Sequence, residues 1–320
     1  MQPSTDRYRQ HCSDEPSIPI FSRDWWLDAV CEGSWDALMV EKDGRIAASM
    51  PICLEPRGPF RYLGHPPLTP SLGPWIRSSN AKYVTRLAKE KDLMTALIDQ
   101  LPQYDKFTQK WHRTTTNWLP FHWRGFEQTT LYTYVLDDLD RLDELWKSVD
   151  SRIRREIRKA TNRYGLEVRD SEDIVGFVDL NVAVFIRQGR TQPYSLVLVR
   201  RVVAACQRHG CRKIWIAADD ENRIHAAVYI VWDQSSAYYI MGGMDPGLRT
   251  TGASSLLLWE AIRHASSVTR EFDFEGSMIE SIERFFRGFG ARQMPYFSVS
   301  HTKSRLLRVK HCLGWMLDRQ

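Results

Sequence analysis

The sequence predicts a mixed α+β (α/β mixed) fold built as two similar units, and three observations carry that prediction. The chain has 320 residues, about two domains against a soft prior of ~150 residues each. A hairpin signature recurs, because Asp43-Gly-Arg-Ile-Ala-Ala48 and Glu221-Asn-Arg-Ile-His-Ala-Ala227 stand about 178 residues apart. Around each of them the same order of strand, turn, strand, helix and strand can be traced.

In the first half a short helix near Trp25 to Val30 is followed by strands Ala37–Glu41 and Ile46–Leu54. Lys42-Asp43-Gly44 joins them with a strong hairpin-turn signal. The stretch Leu63-Gly-His-Pro-Pro-Leu-Thr-Pro-Ser-Leu-Gly-Pro-Trp75 holds too much proline for a ladder interior, and loops of this length are more often functional than incidental. A helix at about Ala81 to Leu101 and strands near Lys106–Trp111 and Gln128–Leu136 complete this half. The link from Leu136 to Leu142 is acidic, so the boundary is set there, with units at 1–138 and 139–302.

The second half opens on apolar positions Leu142, Leu145, Trp146, Val149, Ile153 and Ile157, which recur at helical spacing and predict one long helix. Two helices follow near Ile174–Gln188 and Leu196–His209, then strands Lys213–Ala218, Ile224–Trp232 and Ala237–Met241. A helix at Ala253–Ala265, a strand at Glu271–Phe274, a helix striped by Met278, Ile282, Phe285 and Phe289, and a strand at Tyr296–Val299 come next. Residues 303–320 read as a basic amphipathic tail helix.

Hydrophobic residues make up 43% and charged residues 26%, which excludes a disordered or fibrous chain. No run approaches the ~18 apolar residues of a membrane span, and the polar start lacks a signal peptide's apolar core. A cytoplasmic protein without a transmembrane segment, limited to peripheral membrane contact, is expected. The six cysteines form no C-x-x-C pair and no metal-spaced cluster with histidine, so reduced thiols and no metal are expected. The net charge of +5 is too small to mark a DNA-binding protein, yet 33 Arg against 11 Lys favours bidentate recognition of phosphate or carboxylate. Residues 1–135 carry +1 and residues 136–320 carry +4.

Two segments carry candidate chemistry. Ile240-Met-Gly-Gly-Met-Asp-Pro-Gly-Leu-Arg-Thr-Thr-Gly-Ala-Ser-Ser255 runs from a strand through small residues into a helix start. Unpaired amides there, with the helix dipole, make an anion site. The plain alternative is an ordinary helix-capping loop with a surface Arg249. Further on, strand alternation places Asp273 and Glu275 on one face and Phe272 and Phe274 on the other. The two acids either line a cleft or cap the next helix.

The run D-F-E-G-S-M-I-x-x-I-x-x-F-F-x-x-F-G-A-x-x-x-P-Y over Asp273–Tyr296, with Gly242-Gly-Met-Asp-Pro246 and Ser254-Leu-Leu-Leu-Trp-Glu-Ala-Ile262, resembles the C-terminal unit of the FemABX-type acyltransferases. That superfamily of tandem GNAT enzymes includes the bacterial aminoacyltransferases that build peptidoglycan bridges. Arg249-x-x-Gly252-x-Ser254 loosely matches the GNAT pyrophosphate loop, with Ser in place of its final Gly or Ala. Leu145-Trp-x-x-Val-x-Ser151 with Arg154, Arg155 and Arg158 is similar to the family's basic helix, and Pro66–Trp75 resembles a loop of its N-terminal unit. The likeness spans most of residues 20–300.

The resemblance implies two tandem GNAT-like units, each a twisted mixed sheet flanked by helices. It implies amide-forming acyl transfer to an amine in a channel of the second unit. The donor is then acyl-CoA or aminoacyl-tRNA, used as a co-substrate with no permanently bound cofactor. The donor would lie against Met241, Gly242, Gly243, Met244, Arg249, Gly252, Ala253 and Ser254. A small-molecule or cell-wall peptide amine would meet Arg187, Gln188, Arg190 and Tyr194, and Arg152, Arg154, Arg155 and Arg158 would contact tRNA or another anion. No long charged insertion could form the coiled-coil arm of the bridge-forming enzymes, which weakens the tRNA version. An amine is largely protonated at pH 7 and needs a base, for which Asp273 or Glu275 is available. Amides near Met241–Met244 would receive the oxyanion, and Tyr238, Tyr239 or Tyr296 would act as acid unless they are simply core tyrosines. A non-catalytic GNAT-like RNA- or partner-binding protein is the alternative, and it has no need of Asp273.

Overall fold

The computed structural model describes residues 4–309. The chain divides into two compact units, residues 1–131 with 295–320 and residues 132–294. The first begins with α1 (Ser4–Asp14), a 3-10 turn at Ile20–Ser22 and α2 (Asp24–Cys31). Strands β1 (Trp35–Lys42) and β2 (Arg45–Arg57) form an antiparallel hairpin whose turn residues Asp43 and Gly44 both take positive φ, 54° and 71°. That backbone twist suits the flanking strands, which is why an Asp-Gly pair sits there.

Next come β3 (Phe60–Gly64), the short β4 (Trp75–Ile76), α3 (Tyr83–Asp99), β5 (Lys106–Lys110), α4 (Leu119–Trp123) and β6 (Glu127–Leu136). β3 pairs antiparallel with β2 and parallel with β5. From α3, Met94 and Leu97 pack against Met50, Phe107 and Trp111 in the core of this unit. The proline-rich loop is fastened at Leu72, which bridges to Trp111. Gly73 crosses the Trp111 indole so closely, at φ +110°, that a Cβ would come within 2.6 Å of the ring.

The second unit starts in the later residues of β6 and continues through α5 (Leu142–Ser148), α6 (Ser151–Asn162), β7 (Glu167–Asp170), α7 (Ile174–Arg187) and α8 (Leu196–Arg208). β8 (Arg212–Ala218), β9 (Ile224–Trp232), β10 (Ser236–Met244), α9 (Ala253–Val268), β11 (Glu271–Asp273) and α10 (Glu280–Arg287) follow. The chain returns to the first unit within β12 (Arg292–Thr302). The single helix expected from Leu142 to Ile157 is two helices. Val149 is extended, and the Asp150 carboxylate accepts the Arg152 amide at 2.7 Å, so a new N-cap interrupts a continuous apolar stripe.

The strand order in this unit is β6-β11-β10-β9-β8-β7. β10 and β11 are parallel, and the other neighbours are antiparallel. Residues 225–231 of β9 are buried without alternation, because helices cover both faces of the sheet. Ile153 and Ile157 of α6 and Leu257 and Ile262 of α9 join Val228, Ile230 and Phe272 in one core, while Phe177 of α7 meets Tyr229 edge-on. Of the tail helix expected over 303–320, residues 305–309 are helical and the rest lies outside the described residues.

Candidate functional site

The parallel pairing of β10 with β11 lasts only three residues, Ser236–Tyr238 against Glu271–Asp273. Beyond Tyr238, β10 runs on to Met244 with β9 on one side and, among the described residues, no strand on the other. Backbone groups on an open strand edge can meet a side chain or a ligand. The two glycines at the opening are there because other groups come very close. A Cβ on Gly242 would fall 1.9 Å from the Tyr239 hydroxyl, and one on Gly243 would fall 2.6 Å from the α7 backbone at Leu180 and Asn181.

Asn181 is 4% exposed and ties this place together. Its Nδ2 donates to the Gly242 carbonyl at 2.7 Å, and its Oδ1 accepts from Gln192 Nε2 and from the Tyr194 hydroxyl, each at 2.9 Å. The segment after α7 is thereby held beside the open edge of β10. Arg187 reaches the same edge, with Nη1 3.3 Å from the Met244 sulfur. Burial pushes the Tyr194 phenol up to about 12, and it pushes Tyr239 up as well, with Tyr194 adding to the effect. Both phenols therefore keep their protons through the neutral range. Of the acceptor residues expected from sequence, Arg187 and Tyr194 come together with the expected donor strand, whereas Gln188 and Arg190 are exposed at the end of α7. Asn181 was missed, since a single asparagine within an apolar helix gives no motif.

Past Met244 the chain forms the loop Asp245–Gly252 and enters α9. Gly252 is the N-cap at φ +87° and caps no amide by a side chain. The amides of Arg249, Thr250, Gly252, Ala253, Ser254 and Ser255 have no hydrogen-bond acceptor among the described residues. They and the dipole of a 16-residue helix give this end positive potential. α6 abuts the loop, because a Cβ on Gly252 would lie 2.2 Å from the Glu156 carbonyl. Arg152, Arg155 and Arg158 are exposed on α6, Arg154 is half-buried, and Ile153 and Ile157 face inward.

The two acids differ from their expected arrangement. β11 stops at Asp273, and Glu275 takes a left-handed φ of 57°, so alternation does not carry past the strand end. Phe272 and Phe274 are both buried, their centroids 4.9 Å apart. The Asp273 carboxylate, 4% exposed, accepts the Thr133 hydroxyl and, at 2.9 Å, the Glu275 amide. It holds the turn that presents Glu275, which is itself partly exposed. Carboxylates at Asp233, Glu275 and Asp273 add to burial in raising the Tyr238 phenol, which donates to Asp233 at 3.2 Å. Tyr296 lies on β12 within the first unit.

The first unit has a recess of its own, of about 810 Å³. Trp75, Leu93 and Met94 give it apolar walls, and Lys42, Arg45 and Lys89, which form no ion pair among the described residues, stand at its edge. The proline-rich loop supplies one side. No described helix is long and apolar enough to cross a membrane.

Residues 147–286, which contain the parted strands, the loop and Asn181, match the acetyltransferase (GNAT) domain family. The match is confined to that stretch of the second unit. Its fold is similar to the crystal structure of FemX, at 12% identity over 93% of this chain and 96% of that one, with a TM-score of 0.68. It is also similar to the C-terminal domain of a putative lysylphosphatidylglycerol synthetase from Agrobacterium fabrum, at 12% identity, 98% and 96% coverage, and a TM-score of 0.54. The structure of L-PGS from Bacillus licheniformis gives 12% identity, 98% and 96% coverage, and a TM-score of 0.53. At such identities the likeness is one of fold. No curated protein matches the sequence significantly. The mixed sheets flanked by helices expected from sequence are thus present in a FemX-like fold, and acyl transfer is the general chemistry of the GNAT domain that residues 147–286 match.

Proposed function

We propose that the protein forms amide bonds by transferring an acyl or aminoacyl group from a phosphate-bearing carrier, acyl-CoA or aminoacyl-tRNA, to an amine. The observation that carries this reading is the parting of β10 from β11 after Tyr238, which leaves Gly242-Gly243 on an unpaired edge directly ahead of a loop and helix start with unpartnered amides. The carrier's phosphates would rest on the amides from Arg249 to Ser255, beside the Arg249 side chain, and its acyl carbonyl would lie along the open edge of β10.

The amine would enter beside Arg187 and Tyr194. Glu275 takes its proton, directly or through a water, and the nitrogen attacks the acyl carbon. Charge on the carbonyl oxygen is met by β10 amides between Met241 and Met244. As the tetrahedral intermediate collapses, the C–S or C–O bond to the carrier breaks, Tyr239 gives its proton to the departing atom, and the remaining surplus proton of the attacking nitrogen passes to the Tyr239 oxygen. Free thiol or hydroxyl leaves with the amide formed.

Thermal unfolding with and without acetyl-CoA tests the CoA form: a stabilising shift that Arg249→Ala abolishes is expected, and the absence of a shift with any acyl-CoA removes it. The tRNA form is favoured by the arginines of α6 next to the loop. It predicts steeply salt-dependent binding of charged tRNA, weakened by Arg154→Glu with Arg155→Glu, and no binding at low salt removes it. A non-catalytic binding protein would keep its biological activity when Glu275 is replaced by Gln.

A further inference from the structure

Against the loop Asp245–Gly252 lies a buried polar chain that acyl transfer itself does not use. Asp219, His225 and Thr251 are 4%, 2% and 3% exposed. His225, the second residue of β9, sets Nε2 3.1 Å from Asp219 Oδ2 and Nδ1 3.1 Å from Thr251 Oγ1. Thr251 gives its hydroxyl hydrogen to the Leu248 carbonyl at 2.8 Å, so its oxygen meets Nδ1 as an acceptor. The His225 carbonyl in turn accepts the Asp245 amide at 3.0 Å. One residue therefore grips both ends of the loop, the first residue through its backbone and the penultimate one through its ring.

Asp219 is itself fixed. Its Oδ1 accepts the amides of Glu221 and Arg223 at 3.1 and 2.9 Å, and Arg223 Nε bonds Oδ2 at 2.8 Å. The brace thus runs from the β8–β9 turn through the imidazole to the backbone that enters α9. Three buried polar side chains cost several kcal/mol unless each is bonded, so apolar residues would fill this place more cheaply. What the polar set supplies is direction. Thr251 immediately precedes Gly252, whose φ of +87° turns the chain so that the amides of residues 252–255 open to one side.

We propose that His225 is a positioning residue for acyl transfer: braced by Asp219, it holds Thr251, and through it the 248–252 backbone, in the form whose amides converge on the carrier's phosphate. This rests on the donor site proposed above, and the experiment separates the two. Hydrogen exchange of the loop and α9 is followed by mass spectrometry in the full chain, alongside calorimetric binding of acetyl-CoA. Thr251→Val preserves shape without the hydroxyl, Thr251→Ser restores the hydroxyl, and His225→Gln removes the ring.

Thr251→Val and His225→Gln are expected to speed exchange of the hydrogen-bonded amides of Asp245, Leu248, Thr251 and Leu256 tenfold or more and to weaken acetyl-CoA about tenfold. Thr251→Ser should return both to within twofold of the parent. Exchange in the central strands should be unchanged, which a general loss of stability would not leave so. If Thr251→Val does not fold, His225→Gln and Thr251→Ser make the same comparison. Loop exchange unaltered in the folded variants overturns the proposal, as does a loosened loop with unchanged acetyl-CoA affinity. If the parent itself does not bind acetyl-CoA, the CoA form of the donor reading fails, while the exchange comparison still decides whether His225 holds the loop.

Discussion

At Gly252 backbone and packing demand the same residue. A Cβ there would lie 2.2 Å from a carbonyl oxygen of α6, which cannot swing aside as a side-chain tip would, and φ of +87° is strained for any L side chain. Gly252→Ala is expected to cost about 2 kcal/mol or more, read as a lowered urea midpoint, and to abolish donor protection. Tyr239 separates chemistry from stability. Its phenol is kept protonated by burial and lies over Gly242, so Tyr239→Phe should lower kcat about 100-fold or more while the melting temperature holds. Loss of stability with kcat intact would count against its role as acid. The carboxylates divide in a similar way. Asp273→Ala leaves the Thr133 hydroxyl and Glu275 amide without their acceptor and should destabilise by about 1–3 kcal/mol. Glu275→Gln should instead fold normally and lose turnover; full activity in that variant assigns the proton elsewhere.

Elements with a strong period were legible in the sequence, and the site was legible only where it coincided with glycine. β9 was delimited at Ile224–Trp232, and α3, α7, α8 and α9 emerged within a few residues of their ends. α1, β3, α4 and β7 carry little periodicity and went unread. Gly242-Gly243 and Gly252 pointed to the open strand edge and the loop because close approach excludes a Cβ there. The Asn181 clamp was invisible, since its partners Gly242, Gln192 and Tyr194 lie far along the chain or on another element. Its function is nevertheless testable at the scale of the elements it joins. Asn181→Ala frees the segment after α7 from β10 and leaves the part-buried Gly242 carbonyl without this donor. Trypsin should then cut at the exposed Arg187 and Arg190 about tenfold faster than in the parent, with cleavage elsewhere unchanged. Equal rates would mean that the segment is held by something other than this clamp.

For the whole molecule, the hairpin recurrence told of two units, but not that one of them is discontinuous. The chain re-enters the first unit at Pro295, where Ser298–Thr302 pairs with Lys106–Lys110. Pairing across nearly two hundred residues leaves no local signature in either strand. The proline-rich loop of that unit depends on a second long-range tie, which is sensitive to acid. His65 Nδ1 accepts the Lys110 amide at 3.3 Å, and Nε2 lies 2.6 Å from the Thr69 carbonyl, to which it donates. The ring is thus neutral with its hydrogen on Nε2, and a second proton would face an amide hydrogen. Burial first, and the Lys110 charge second, push this histidine down to about 3. An unfolded chain takes up that proton below about pH 6.5, whereas the native ring refuses it until about pH 3. The stabilising contribution is therefore full above about pH 6.5 and is lost as pH falls through the window, by at most ~1.4 kcal/mol per pH unit. His65→Gln can keep both hydrogen bonds without titrating. Urea unfolding from pH 7 to pH 4.5 should show the parent losing about 2 kcal/mol more than this variant. Parallel slopes for the two proteins would show that the loop's tie to β5 does not resist protonation.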